Sequence, residues 1–235
     1  MLRATDEVRS SYACKAPYRL KHHFLEKSKK TIDFATPFID TIPMILQDGT
    51  TRHLRKSLDL PNHAHELTFS CYRGYKLLSK DRTRQWLVDA LDRARQKHDF
   101  HLWSYVIMPE HVHLTLLPQK SDYKISDILY SIKKPVSEKA TNYLRRTNPQ
   151  WLERLTVRRP NGEIKRHFWQ AGGGYDRNIV TMKALTGSIF YIHANPVRRG
   201  LVVSPTDWEW SSARWYEGER VVKLRMDVTM SHLMA

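Results

Sequence analysis

Alternation of apolar and polar positions first becomes regular at His65 to Tyr72, where Leu67, Phe69 and Cys71 share one face at period two before the turn-like Arg73-Gly74. This predicts a strand. Ser79 to Arg82 offers a helix start, and Trp86, Leu87, Ala90, Leu91 and Ala94 recur at helical spacing to about Lys97. Phe100 to Met108 and His111 to Leu117 are rich in strand formers and separated only by Pro109-Glu110, so they predict an antiparallel hairpin. A long helical stretch follows from about Ile125 to Arg146, with Pro135 expected to kink or break it. Asn148-Pro149 and Arg159-Pro160-Asn161-Gly162 then mark a loop or short hairpin. Thr181 to Ala194 is helical again, with Ala184, Leu185, Ile189 and Ile192 as its apolar stripe and Pro196 and Gly200 as its stop. Beyond it, Trp208, Trp210 and Trp215 flank Ser211-Ser212 and are expected to cap the core. Residues 1–60 lack sustained periodicity, mixing basic positions such as Lys27, Lys29 and Lys30 with the apolar Pro43-Met44-Ile45-Leu46. The pattern divides the chain into an extension (1–60), one cored domain (61–217) and a tail (218–235).

Composition agrees with a single domain: 235 residues, 41% hydrophobic and 27% charged, suffice for one core. Charge adds a partner. Lys and Arg number 39 against 24 acids, a formal net charge of +15, which favours a polyanion and nucleic acid first. The excess is densest in residues 123–166, with eleven basic residues against four acidic ones. Lys133, Lys134, Arg145, Arg146, Arg158 and Arg159 are therefore candidate phosphate contacts, each weighed against an ordinary solvated charge. Cys14 and Cys71 stand far apart without a C-x-x-C spacing, which supports neither a disulfide framework nor a zinc knuckle and fits a reducing cytoplasm. No apolar run approaches the roughly 18–20 residues of a membrane span, and the N-terminus lacks the apolar core of a signal peptide. A soluble protein without a membrane partner is expected.

The candidate chemistry sits in the second strand of the hairpin. Because side chains alternate along a strand, His111 and His113 point to one face with Cα atoms about 7 Å apart, a spacing that lets two imidazoles converge on one metal ion. Other two-histidine chemistries fit less well. His113-Leu114-Thr115 is half of the paired H-x-[ST] signature of one phosphoesterase class, but no second copy exists. A histidine-triad hydrolase would need a histidine where Thr115 stands.

Three ordered blocks carry more. Trp103-Ser104-Tyr105-Val106-Ile107-Met108 runs into Pro109-Glu110-His111-Val112-His113. Phe168-Trp169-Gln170 precedes Tyr175-Asp176-Arg177-Asn178. Tyr191-Ile192-His193-Ala194-Asn195-Pro196-Val197 is followed by Gly200-Leu201-Val202 and Trp208-Glu209-Trp210-Ser211-Ser212. Over roughly residues 63–215 this order resembles the HUH single-strand transposases with one catalytic tyrosine, and within them the REP-associated tyrosine transposases. The resemblance implies an α+β fold of ferredoxin-like, HUH endonuclease type, with a central antiparallel sheet and helices packed on it. It implies His111 and His113 as metal ligands, Tyr191 as nucleophile and Asn195 as third ligand. Its substrate would be single-stranded or hairpin DNA, cut through a 5′-phosphotyrosine. The four-residue spacing of Tyr191 and Asn195 puts both on one helix face, as such a site requires. Some relatives place glutamine where Asn195 stands, so ligand reach differs here. Two imidazoles and an amide oxygen suit Mg²⁺ or Mn²⁺. No nucleotide cofactor is expected, and no G-x-x-x-x-G-K-[ST] run is present.

Around this set, His193 should point elsewhere on its helix, and His63 and His65 read as exposed or DNA-contacting. Glu110 reads as a turn residue. Phe168 and Trp169 are either base-stacking or core residues. The sequence leaves open a monomer or a homodimer, and whether Tyr191 serves its own chain's histidines. A catalytically silent relative that only binds DNA or RNA hairpins is the competing reading.

Overall fold

A computed structural model of the chain describes residues 41–45, 51–55, 58–219 and 221–227; the expectations for residues 1–40 lie outside them. β1 (Thr41–Ile45) and β2 (Thr51–Arg55) form a separate antiparallel pair within the segment read as an extension. The main body follows the order β3 (Ala64–Ser70), α1 (Asp81–His98), β4 (Phe100–Ile107), β5 (His111–Pro118), α2 (Ile125–Thr147), α3 (Pro149–Arg154), β6 (Thr156–Arg158), β7 (Ile164–Arg166), β8 (Tyr175–Ile179), α4 (Met182–Arg198) and α5 (Ala213–Tyr216). The central sheet is antiparallel with strand order β4-β5-β3-β8. With α1 and α2 as the crossovers, this is the β-α-β-β-α-β arrangement of a ferredoxin-like fold.

The period-two pattern gives each sheet face its role. Leu67, Phe69, Leu102, Tyr105, Ile107, Val112, Leu114 and Leu116 form one face and meet Leu87, Leu91 and Ala94 of α1 and Ile128, Ile132 and Val136 of α2 in the main core. Each fully buried Leu or Ile there contributes about 1.5–3 kcal/mol. The opposite face carries the histidines and is partly roofed by α4. A bulge between Leu102 and Ser104 turns Trp103 to that second face, where it packs with Ala64, Leu117, Ile179, Leu185 and Ile189.

α2 runs unbroken through Pro135, against expectation. The proline removes the N–H that would bond the Ser131 carbonyl, but the buried stripe Ile128, Ile132, Val136 and Ala140 holds the helix against the core. In the same turn the Lys133 carbonyl accepts from Trp169 Nε1 (2.9 Å) and Ser137 Oγ (3.1 Å). α4 likewise continues past Pro196 to Arg198, because the lost bond falls near its end, where Arg199 N bonds Asn195 O at 3.0 Å. α3 replaces the loop expected at Asn148-Pro149. The Asn148 side chain caps it by accepting from Trp151 N (3.0 Å), and Pro149 occupies the first turn, where its missing N–H costs nothing.

The tryptophan-rich tail segment covers the edge of β4. Ile107 N bonds Trp210 O (2.8 Å), Ser212 N bonds Tyr105 O (3.0 Å), and Asp227 N bonds Leu102 O (2.9 Å). Trp210, Leu224 and Met226 are buried in the main core, so packed structure extends past residue 217. An edge that would otherwise template pairing is thereby closed. No helix among the described residues is long and apolar enough to cross a membrane.

Candidate active site

β5 places His111 and His113 on the α4 face, and the rings lie 4.8 Å apart between centroids. Register with β3 sets Thr68 opposite His113 and Ser70 opposite His111. Thr68 Oγ1 hydrogen-bonds His113 Nδ1 at 2.7 Å, while His113 Nε2 is buried with no hydrogen-bond partner. In the tautomer that binds metal through Nε2, Nδ1–H donates to the threonine hydroxyl and the Nε2 lone pair is unused. Gly174 makes the approach of β8 to Thr68 possible. It has φ +83°, and a Cβ there would lie 2.1 Å from the Thr68 carbonyl oxygen.

His111 is held from the other side. Its Nδ1 lies 3.2 Å from Glu110 Oε1, and Glu110 in turn pairs with Arg199 at the end of α4. Glu110 therefore does more than turn the chain, and residue order alone could not show that Arg199 returns to meet it. Carboxylate and threonine partners on the far nitrogens are the usual way ligand imidazoles are oriented. Burial depresses His111 below the ordinary histidine range despite the opposing Glu110 charge. Burial, with the charges of His111 and Arg198, takes His113 to about 3. Both are thus neutral near pH 7, the form that binds metal.

α4 starts at Thr181, whose side chain accepts from Ala184 N (3.2 Å), and carries Tyr191 over β5. The Tyr191 ring meets His113 edge-on, centroids 5.6 Å apart, so the tyrosine reaches the histidines of its own chain. Asn195 is buried one turn on, and its Nδ2 donates to the Tyr191 carbonyl (2.8 Å), leaving Oδ1 as the atom able to act as a ligand. Arg198, one further turn along, lies over the Tyr191 ring at 5.1 Å. Among the described residues no set of three or more His, Cys, Asp or Glu side chains could hold a metal. The donor types at hand, two neutral imidazoles with an unpartnered buried Nε2 on His113 and the Asn195 amide oxygen one helical turn from Tyr191, fit a divalent cation with coordination positions left for substrate oxygens.

The remaining sequence candidates fare unequally. His193 is fully buried, donates to or accepts from Ser212 Oγ at 2.7 Å, and ties α4 to the tail, so it is structural. His65 is also fully buried, between Asp176 (2.8 Å) and Tyr123 (2.7 Å), which corrects its reading as exposed or DNA-contacting. Trp169 does not offer its face to a base. It is 7% exposed, packs edge-on against Phe69 and spends its N–H on Lys133 O. Lys133 itself is half-buried, over the Phe69 ring with Nζ bonding Gly172 O, rather than a free surface cation. Lys134 is near Glu138 (4.0 Å), Arg158 pairs with Glu153 and Arg159 with Glu163 (2.9 Å), so acids partly offset their charge. Arg145 and Arg146 bond Asn142 instead of an acid.

No family model matches the chain. A Haemophilus influenzae protein that bears the name of a REP-associated tyrosine transposase is 26% identical over 161 residues, covering 65% of this chain and 85% of that relative. The chain is a relative of the REP-associated tyrosine transposases. A solved structure of a REP-associated tyrosine transposase bound to a REP hairpin matches with a TM-score of 0.55 at 20% identity, over 76% of this chain and 94% of the other. That likeness shows the fold: α+β, with an antiparallel sheet and packed helices, as the sequence predicts.

Proposed function

We propose that the chain is a transposase-like enzyme that nicks and rejoins single-stranded DNA at hairpin-forming repeats, with Tyr191 as nucleophile. The observation that carries this reading is the convergence of Tyr191 on His113 within one chain, beside two neutral imidazoles oriented for metal. Kinship with a family that includes a protein bound to a REP hairpin supports the choice of DNA hairpin as partner.

In the cleavage step Tyr191 Oη attacks phosphorus, an Oη–P bond forms and the P–O3′ bond breaks. The phenolic proton passes to solvent and the departing 3′ oxygen takes one from solvent. A 5′-phosphotyrosyl linkage and a free 3′-hydroxyl result, and attack by a 3′-hydroxyl reverses the step on a new strand. Bond energy is conserved, so no nucleotide cofactor is required. A divalent cation such as Mg²⁺ or Mn²⁺, held by His111, His113 and Asn195, would supply Lewis-acid polarisation and charge neutralisation at the phosphate. Thr68 and Glu110 keep the two imidazoles turned toward it, and burial keeps them unprotonated.

The test is a denaturing gel of the full chain incubated with Mn²⁺ and single-stranded oligonucleotides carrying hairpins from the DNA flanking its gene. A covalent protein–DNA adduct is expected, absent in Tyr191→Phe. An adduct that persists in Tyr191→Phe would assign another nucleophile. Hairpin binding with no adduct would make this a binding protein.

A further inference from the structure

We infer that Arg198 is a further catalytic residue of this site, donating to a non-bridging oxygen of the scissile phosphodiester while Tyr191 attacks it. The inference rests on the proposed tyrosine chemistry and adds to it a cation carried by the chain itself.

Tyr191, Asn195 and Arg198 stand at i, i+4 and i+7 of α4, so they form one stripe along the helix face presented to β5. The contacts agree with the pattern: the Tyr191 ring is against His113, and the Arg198 guanidinium is 5.1 Å from the centroid of that same ring. The next residue provides an internal contrast. Arg199 is spent on Glu110, whose carboxylate also holds His111. Among the described residues no carboxylate lies within ion-pair distance of Arg198, which is exposed and holds only its contact with the tyrosine ring. A cation–π contact at an exposed position is weak, and a phosphate oxygen displaces it readily because a charge-assisted hydrogen bond is stronger.

Charge makes the assignment specific. As Oη approaches phosphorus, negative charge grows on the equatorial oxygens of the phosphate. Glu110 offsets Arg199. The net positive charge that α4 brings beside the nucleophile is therefore that of Arg198. A donor that engages where charge develops acts on the chemical step rather than on hairpin affinity.

Single-turnover adduct formation at saturating hairpin DNA and Mn²⁺ tests this with Arg198→Gln and Arg198→Lys. Arg198→Gln is expected to slow the step about 100-fold, with hairpin Kd and Mn²⁺ affinity within about 2-fold of the parent chain, and Arg198→Lys to recover most of the loss. The inference is overturned by a Gln variant nearly as fast as the parent, by a Lys variant as slow as Gln, or by hairpin or Mn²⁺ affinity falling as far as the rate. A parent chain that forms no adduct overturns the tyrosine chemistry and this role with it, and is thus distinguishable from failure of Arg198 alone.

Discussion

At the scale of the residue, Glu110 concentrates the logic of the site. Its backbone carbonyl accepts from Cys71 N (2.7 Å), fixing the end of β3 against the β4–β5 turn, and its carboxylate joins His111 to Arg199. One side chain thus relates the strand, the His111 ring and the helix end. Removing it should free the His111 ring and leave Arg199 uncompensated beside the proposed cation site. Glu110→Ala is expected to weaken Mn²⁺ binding about 10- to 100-fold, the usual cost of losing a partner that orients a ligand. Isothermal titration with Mn²⁺ on the folded variant measures this, and unchanged affinity would remove Glu110 from the site. The sequence showed His111 and His113 because alternation alone puts them on one face. It did not show Glu110 in this role, because that role depends on Arg199, 89 residues later, arriving at the same corner.

At the scale of the element, α4 is anchored to the sheet by polar contacts as much as apolar ones. Ser104 Oγ donates to Thr115 Oγ1 (2.9 Å), which is 3.1 Å from Ser188 Oγ on α4, all three buried. His193 and Ser212 make a second buried tie two residues beyond Tyr191. These hydrogen bonds fix the rotation of the helix about its axis, and so the aim of the Tyr191–Asn195–Arg198 stripe. Thr115→Val keeps shape but leaves the Ser104 and Ser188 hydroxyls short of a partner, a loss of about 1–3 kcal/mol. Urea unfolding should register it as a lower midpoint at unchanged slope, and a midpoint equal to the parent's would show the seam to be incidental. Elements of this molecule were legible where periodicity was strong: β3, the β4–β5 hairpin and α1 all lie close to their predicted spans. β8 was not, because Tyr175-Asp176-Arg177-Asn178 sits on a sheet edge, half-buried on both faces, and shows no alternation. The prolines in α2 and α4 misled for the opposite reason, since tertiary packing overrode a local break signal.

At the scale of the whole molecule, the net charge of +15 predicts association with a polyanion but not where it lands. The densest basic stretch in sequence, residues 123–166, is less positive in space than in composition. Glu138, Glu153 and Glu163 pair within it, and Lys133 lies half-buried over the Phe69 ring with Nζ on Gly172 O. Among the cations there without an ion pair are those at the C-terminal end of α2, where Arg145 and Arg146 extend from the last helical turn and meet only Asn142. Two such cations releasing counterions from a DNA backbone would contribute to affinity equally for every sequence. Replacing both by alanine should weaken hairpin binding across unrelated stem sequences and lower the magnitude of the log Kd against log salt slope by about 1 to 2. The corresponding Arg158→Ala/Arg159→Ala pair should change the slope less, because removing Arg158 also releases Glu153, which repels the phosphates, while Glu163 keeps only Lys165. Fluorescence anisotropy of a labelled hairpin over a salt series compares the two variants directly. Equal slopes would mean that ion pairing does not sort these arginines, and that the DNA lies along the β6–β7 hairpin as closely as along the end of α2.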